Sequence, residues 1–350
     1  MKSYRSPDAV NMVSEQSGRP VKRFGYECVL TLSGRINGIF KLINGAEATK
    51  IVHSGTKLYL WKNDNTTQVL YDGMNDARST AYQMDGKLWI LDGKKLLRYD
   101  GSSVVSAESV AYIPTTRINC PPNGGGKEYE AVNLFSDSRT NDFASDGSSQ
   151  IYQLDAQKVD SVVKAEVRNA DATWTVISAT LTDPAVGKVR LASVPPKDTS
   201  GFDNVRITFK KAVAGSADKI NKCTTAILWG LGGYNRMFVT GNPDFINMDF
   251  ASEITTDTRN APTYFPDNGY ALAGQDNTRI VGYLRSGDDL AILKEDNDQD
   301  STAFLRKASF GSDGSTVIFS IKTGIAGVGA VSPYCTKDLR DDHMFLSKQG

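Results

Sequence analysis

The stretch Met84-Asp85-Gly86-Lys87-Leu88-Trp89-Ile90-Leu91-Asp92-Gly93 decides how this chain is read. A glycine turn is followed by a lysine, an apolar strand and a second turn. Ser54-Gly55-Thr56-Lys57-Leu58-Tyr59-Leu60-Trp61 and Ser286-Gly287-Asp288-Asp289-Leu290-Ala291-Ile292-Leu293 are close copies. Weaker copies run from Asn235 to Gly241 and from Asp342 to Gly350. Leu58, Leu88, Met237, Leu290 and Met344 anchor these strands. Leu60, Ile90, Val239, Ile292 and Leu346 follow two residues later, on the same face, because side chains alternate along a strand. A recurring strand of this kind predicts a repeat architecture whose units bury a face against their neighbours.

The spacing of the anchors is uneven: 30 residues from Leu58 to Leu88, 53 from Met237 to Leu290 and 54 from Leu290 to Met344. A four-stranded propeller blade takes roughly 40–50 residues. The expected fold is therefore all-β, an irregular β-propeller, with a generic meander of hairpins as the alternative. Lys62-Asn63-Asp64-Asn65 and Lys294-Glu295-Asp296-Asn297 predict polar hairpin turns after the first and fourth copies.

Composition narrows the function. The 350 residues hold 40 Lys and Arg against 40 Asp and Glu. A net charge of zero argues against a polyanion binder driven by bulk charge, although it leaves room for a local patch. With 31 glycines, 12 prolines and 9% aromatic residues, the chain suits a turn-rich globular β protein. Cys28, Cys120, Cys223 and Cys335 lie far apart, which favours free thiols over a disulfide framework. Residues 1–7 contain no apolar secretory region, and no apolar run reaches the roughly 18 residues of a membrane helix. A soluble protein made in the cytoplasm is expected.

The segment 1–126 reads as a polar, turn-like arm followed by the first propeller blades. Pro121-Pro122-Asn123-Gly124-Gly125-Gly126 is a linker signal. Residues 127–213 then change texture. Val159–Val167, Thr173–Thr180, Val186–Leu191 and Val205–Phe209 are strand-rich and lack the repeat signature. They predict an inserted β-sandwich of immunoglobulin-like size, without the Cys–Trp–Cys core of true immunoglobulin domains. The signature resumes near Cys223, so residues 214–350 are read as the remaining blades. A short helix is the expectation around Phe245–Glu253.

No catalytic constellation stands out. His53 precedes a signature strand and His343 sits on one, and both suit a structural role. No His/Cys cluster, nucleophile elbow, P-loop or dinucleotide fingerprint is present. Asp296-Asn297-Asp298-Gln299-Asp300 resembles the start of a calcium loop, but Ser301 and Lys307 stand where glycine and glutamate are required. Ser312-Asp313-Gly314-Ser315-Thr316 has the residues of a sialidase Asp box in the wrong spacing and reads as a turn. No catalytic, cofactor-binding or metal-binding residue is assigned, no cofactor is expected, and the chain is not read as an enzyme.

Two stretches carry a family resemblance. Ser6-Pro7-Asp8-Ala9-Val10-Asn11-Met12, followed by Gly18-Arg19-Pro20-Val21-Lys22-Arg23-Phe24-Gly25-Tyr26, resembles the opening of tail nozzle, or tail tubular protein B, and packaged-DNA stabilisation proteins of short-tailed bacteriophages. Phe24 stands where that pattern usually has proline. Asn235–Pro243 and Tyr264-Phe265-Pro266 are similar to a second recurrent segment of those chains. The resemblance implies an irregular propeller with an inserted β-domain. It implies a structural virion protein in the tail, assembled as a homo-oligomeric ring, a hexamer, between portal or adaptor and other tail proteins. Double-stranded DNA would pass without sequence specificity, with no membrane partner. It carries over no catalytic residue. Two other readings stay open: a host-surface or carbohydrate-binding tail module, with Trp174 as a candidate aromatic platform, and a propeller glycosidase using paired carboxylates. The chain stops just after the strand Met344–Ser347, so a longer native protein, or completion of that strand by a neighbouring subunit, is expected.

Overall fold

A computed structural model describes residues 10–14, 18–199, 201–232, 234–255, 261–296, 302–314, 316–339 and 342–348. The chain is all-β, 49% strand and 3% helix. Among the described residues, four sheets are four-stranded antiparallel meanders whose strands pair in sequence order. Sheet I holds Ile36–Asn44, Glu47–Ser54, Lys57–Trp61 and Thr67–Asp72. Sheet II holds Thr80–Met84, Lys87–Leu91, Leu96–Tyr99 and Val104–Ser106. Sheet III holds Thr225–Leu231, Tyr234–Thr240, Met248–Ala251 and Tyr270–Leu272. Sheet IV holds Ile280–Ser286, Asp289–Lys294, Thr302–Phe310 and Val317–Ala326. A two-stranded ribbon, Thr336–Leu339 with Asp342–Phe345, follows.

The opening turn of sheet II shows why the signature makes a hairpin. Asp85 and Gly86 both take left-handed backbone, at φ 52° and 65°. Two successive positive φ values between strands are the requirement of the tight hairpin whose twist matches that of the strands, and Asp-Gly meets it. Thr80–Met84 therefore folds straight back onto Lys87–Leu91, with Met84 facing Lys87.

The signature strands of sheets II, III and IV are buried on both faces, not one, whereas Met344 and Phe345 of the ribbon are exposed. Leu88 and Ile90 join Leu42, Ile51 and Leu58 in a core between sheets I and II. Trp89 and Leu91, on the opposite face of the same strand, join Met237, Val239 and Phe250 between sheets II and III. Phe238 points the other way, to Leu290, Ile292 and Phe304 between sheets III and IV. Ala291 and Leu293 then pack with Ala330 beyond sheet IV. Alternation along each strand thus serves two cores, which is why these runs read as continuous apolar stretches. At about 25 cal/mol per Å² of apolar area removed from water, these shared cores are the main stabilising term.

The second strand of sheets II, III and IV and of the ribbon carries the signature, but in sheet I it is the third strand, Lys57–Trp61. That offset explains the short interval between Leu58 and Leu88. The expected helix at Phe245–Glu253 is instead a turn followed by the strand Met248–Ala251. Phe250 is needed in the core between sheets II and III, and a paired strand delivers it there. Among the described residues the helical elements are a single α-helical turn, Asp218–Asn221, and a 3-10 turn, Ala107–Val110. The N-terminal arm, expected to be turn-like, pairs Met12–Ser14 with Pro20–Lys22. The positions Ser6–Asp8, Asn297–Asp300, Ser301 and Gly350 lie outside the described residues.

In the chain between sheets II and III come a six-stranded sheet and a three-stranded sheet, which enclose a separate core of Phe143, Tyr152, Val189, Leu191, Ile207 and Phe209. The larger sheet includes Thr115–Cys120, which pairs in parallel with Ser138–Phe143. This strand precedes residue 127, the sequence-based start of the insert, and it brings Cys120 into the core. Gly126, at φ 76°, lets the chain turn against Cys120, where an added Cβ would lie 2.6 Å from the sulfur. A fragment of residues 114–213 is therefore expected to melt cooperatively and at a higher temperature than one of residues 127–213, whose Ser138–Phe143 strand loses a neighbour. Equal melting temperatures by circular dichroism would contradict this.

Candidate functional site

The first strands of sheets I to IV meet one another in sequence order, and the first strand of sheet IV also meets the ribbon. Polar contacts fix this arrangement. Thr80 Oγ1 donates to the Thr224 carbonyl at 3.2 Å, and the Ala226 N–H donates to the Tyr82 hydroxyl at 3.4 Å. Arg285 Nη2 donates to the Leu228 carbonyl at 3.0 Å. The Arg78 guanidinium lies over the Tyr334 ring, 4.2 Å from its centroid, and ties sheet II to the ribbon segment. Gly282 permits the ribbon to approach, since a Cβ there would stand 3.0 Å from Thr336 Oγ1.

A cleft opens where these elements converge. One lobe, of about 580 Å³, is lined by Arg35, Asn37, Arg78, Thr80, Tyr82 and Lys337 among others. The second, of about 450 Å³, shares Arg78, Thr80, Tyr82 and Lys337 and adds Tyr283, Arg285, Tyr334 and Thr336. Arg78 and Lys337 therefore stand between the lobes, with Arg35 on one side and Arg285 on the other. All four cations are exposed, and no carboxylate among the described residues lines either lobe. In a chain of zero net charge, this is a local concentration of positive field, offset in part by Asp76, which accepts from the lining Asn37 Nδ2 at 2.8 Å.

His53 has a structural part beside this cleft. It lies within the strand Glu47–Ser54 and is fully buried. Its Nε2 is 2.9 Å from the Gly55 carbonyl, so that nitrogen carries the proton, and its Nδ1 accepts from the Ser79 hydroxyl at 2.7 Å. Burial pulls its pKa below 6.5, against smaller opposing effects from the Gly55 carbonyl, Asp92 and Asp76. A lowered folded pKa means that the unfolded chain binds the proton more readily, so this stability is complete above pH 6.5 and falls away as the pH drops through and below that value. The stability gap between wild type and His53→Gln is expected to narrow from about pH 7.5 to about pH 5.5 in urea unfolding. A gap that stays constant would refute the neutral assignment. His343 lies on the strand Asp342–Phe345.

The other residues singled out in sequence are separated in space. Trp174 is half-buried and carries the Arg206 guanidinium over its ring at 4.4 Å, so one stacking face is taken. Asp313 caps a hairpin turn by accepting from the Thr316 N–H at 3.0 Å. All four cysteines are free, and burial pushes the Cys120 thiol up to about 11. No group of three or more His, Cys, Asp or Glu residues is placed to hold a metal among the described residues. No helix among them is long and apolar enough to cross a membrane. In a smaller cavity near Tyr270, Asp249 and Glu253 are each bonded to an arginine, Arg306 and Arg236. Those carboxylates are held by cations rather than turned toward each other. The cationic cleft was not foreseen from sequence; its residues come from positions 35, 78, 285 and 337 and meet through the order of the sheets. No protein-family model matches the chain, and no curated protein matches it.

Proposed function

We propose that the chain is a structural subunit of a bacteriophage tail, a nozzle or head-to-tail connector ring that surrounds the DNA exit path. On this reading sheets I to IV are blades of an irregular β-propeller, and the unit between sheets II and III is an inserted β-sandwich. The observation that carries the proposal is the series of four-stranded meanders whose first strands converge while both faces of the signature strands of sheets II, III and IV are buried. The resemblance at Ser6–Tyr26 supplies the tail assignment.

Assembly into a ring, a hexamer in this proposal, is supported by the outer face of sheet I. Ile39, Val52, Tyr59 and Val69 form one row across its four strands; Val52 and Tyr59 are buried, so the exposed apolar surface lies at the two ends of the row. Ile39 is 62% exposed, and Ile43 and Val69 are also exposed. A sheet face of this kind suits a second copy of the chain better than water. The glycosidase alternative draws no support from the cavity beside Tyr270, whose carboxylates Asp249 and Glu253 are held by Arg306 and Arg236. Electron microscopy of the parent particle is expected to place the chain in a ring at the tail, and solution mass is expected at a multiple of 38.0 kDa. A chain found only in infected-cell cytosol, at 38.0 kDa, would end this reading.

A further inference from the structure

We propose that the cleft between the first strands of sheets I to IV binds a compact, multiply charged phosphate-bearing anion, of pyrophosphate or nucleoside triphosphate size. This goes beyond the ring reading and does not depend on it. Arg78 and Lys337 line both lobes, and Arg35 and Arg285 line one each, so cations stand along the length of the cleft. Among the described residues no carboxylate forms part of the wall; Asp76 accepts from the lining Asn37 Nδ2 at 2.8 Å and leaves the four cations in excess.

The arginines are held in place with donors to spare. Arg78 is fixed by its ring contact with Tyr334, which uses none of its N–H groups. Arg285 spends one donor on the Leu228 carbonyl. A guanidinium has five N–H donors in a rigid fork that matches phosphate oxygens, so both keep capacity for an oxyanion. Lys337 adds a mobile point charge between them.

Size selects within the class. Lobes of about 580 and 450 Å³ fall in the range of small-ligand sites. They are too small for a duplex, whose major groove alone is about 12 Å wide. The charges also follow a short path across a cleft rather than a long stripe along the surface. A polyphosphate places several charges within that reach, and the Tyr82 and Tyr334 side chains offer apolar surface to a nucleoside carried with it.

The test is calorimetry on the full chain at constant ionic strength, with sodium pyrophosphate, adenosine triphosphate and a 20-base-pair duplex as probes. Saturable binding of pyrophosphate is expected. Arg35→Gln with Lys337→Gln should weaken it about tenfold or more, since each removes a charge-assisted contact. These two exposed residues are chosen because Arg78 and Arg285 also hold the sheets together. Lys188→Gln with Lys210→Gln, on the insert, should leave the affinity unchanged. Tighter binding of the triphosphate than of pyrophosphate would support the proposal and show that the nucleoside is also read. No saturable heat with either small probe would overturn it. So would an equal loss in the insert variant, or duplex binding that survives the Arg35 and Lys337 changes.

Discussion

Asp249→Ala is expected to lower folding stability by about 3–5 kcal/mol, the range for leaving one partner of a buried ion pair uncompensated. Arg306 and Asp249 are each 2% exposed or less. Arg306 Nη1 donates to Asp249 Oδ2 at 2.6 Å and Nη2 to Oδ1 at 2.8 Å. The pair joins the third strand of sheet III to the third strand of sheet IV. Tyr283, on the first strand of sheet IV, donates its hydroxyl to Asp249 Oδ2 at 3.1 Å. Burial, and then the Asp249 charge, drive the Tyr283 pKa far upward, so that hydroxyl remains a donor. Arg306 also lies 4.6 Å from the centre of the Phe238 ring.

Without Asp249 the guanidinium keeps its charge, loses both bidentate bonds and stays enclosed by the core. The pair does not have to be more favourable than an apolar substitute for this to happen, because the cost comes from the charge left alone. Hence Asp249→Leu combined with Arg306→Met is expected to recover most of the loss. Urea unfolding of the single and double variants measures both effects. If the double variant were as unstable as Asp249→Ala, the loss would have to come from packing and not from an orphaned charge.

The strands were legible in sequence because turn and strand signals agree locally. Lys57–Trp61 and Lys87–Leu91 run from the signature lysine to the end of the apolar run, and Asp289–Lys294 runs from the aspartate to one residue beyond it. Their double burial was harder to see. Trp89 and Tyr59 read as the outward half of an alternation, and only the neighbouring sheet shows that Trp89 is fully enclosed. Thr115–Cys120 was not grouped with the strands that follow it because the glycine run at 124–126 marks a turn within the edge of the six-stranded sheet. Thr115–Cys120 enters the sheet before that turn, and Lys127–Glu128 returns along it. The cationic cleft depended on contacts between residues as far apart as Arg35 and Lys337, which no local pattern encodes.

Asn133→Ala is expected to cost about 3–4 kcal/mol, because one buried amide serves four backbone groups, each worth roughly 1–3 kcal/mol when orphaned. Asn133 is 1% exposed. Its Nδ2 donates to the carbonyls of Tyr112 and Thr263, both at 2.8 Å. Its Oδ1 accepts from the N–H groups of Phe135 and Phe265, both at 3.1 Å. The amide thus joins the chain leaving sheet II, the segment between Lys127–Glu128 and Ser138–Phe143, and the loop within sheet III. It also places Phe135 and Phe265 edge to face, with ring centres 5.4 Å apart, in the core between sheets II and III. Asn133→Asp tests the donors separately, since a carboxylate still accepts from both N–H groups but cannot donate to the two carbonyls. Asp at this position should be at least as damaging as Ala, because it adds a buried charge beside two carbonyl oxygens. Urea unfolding of the two variants separates these terms, and a loss below about 1 kcal/mol in both would mean that water replaces the amide and that this junction is held by the aromatic pair alone.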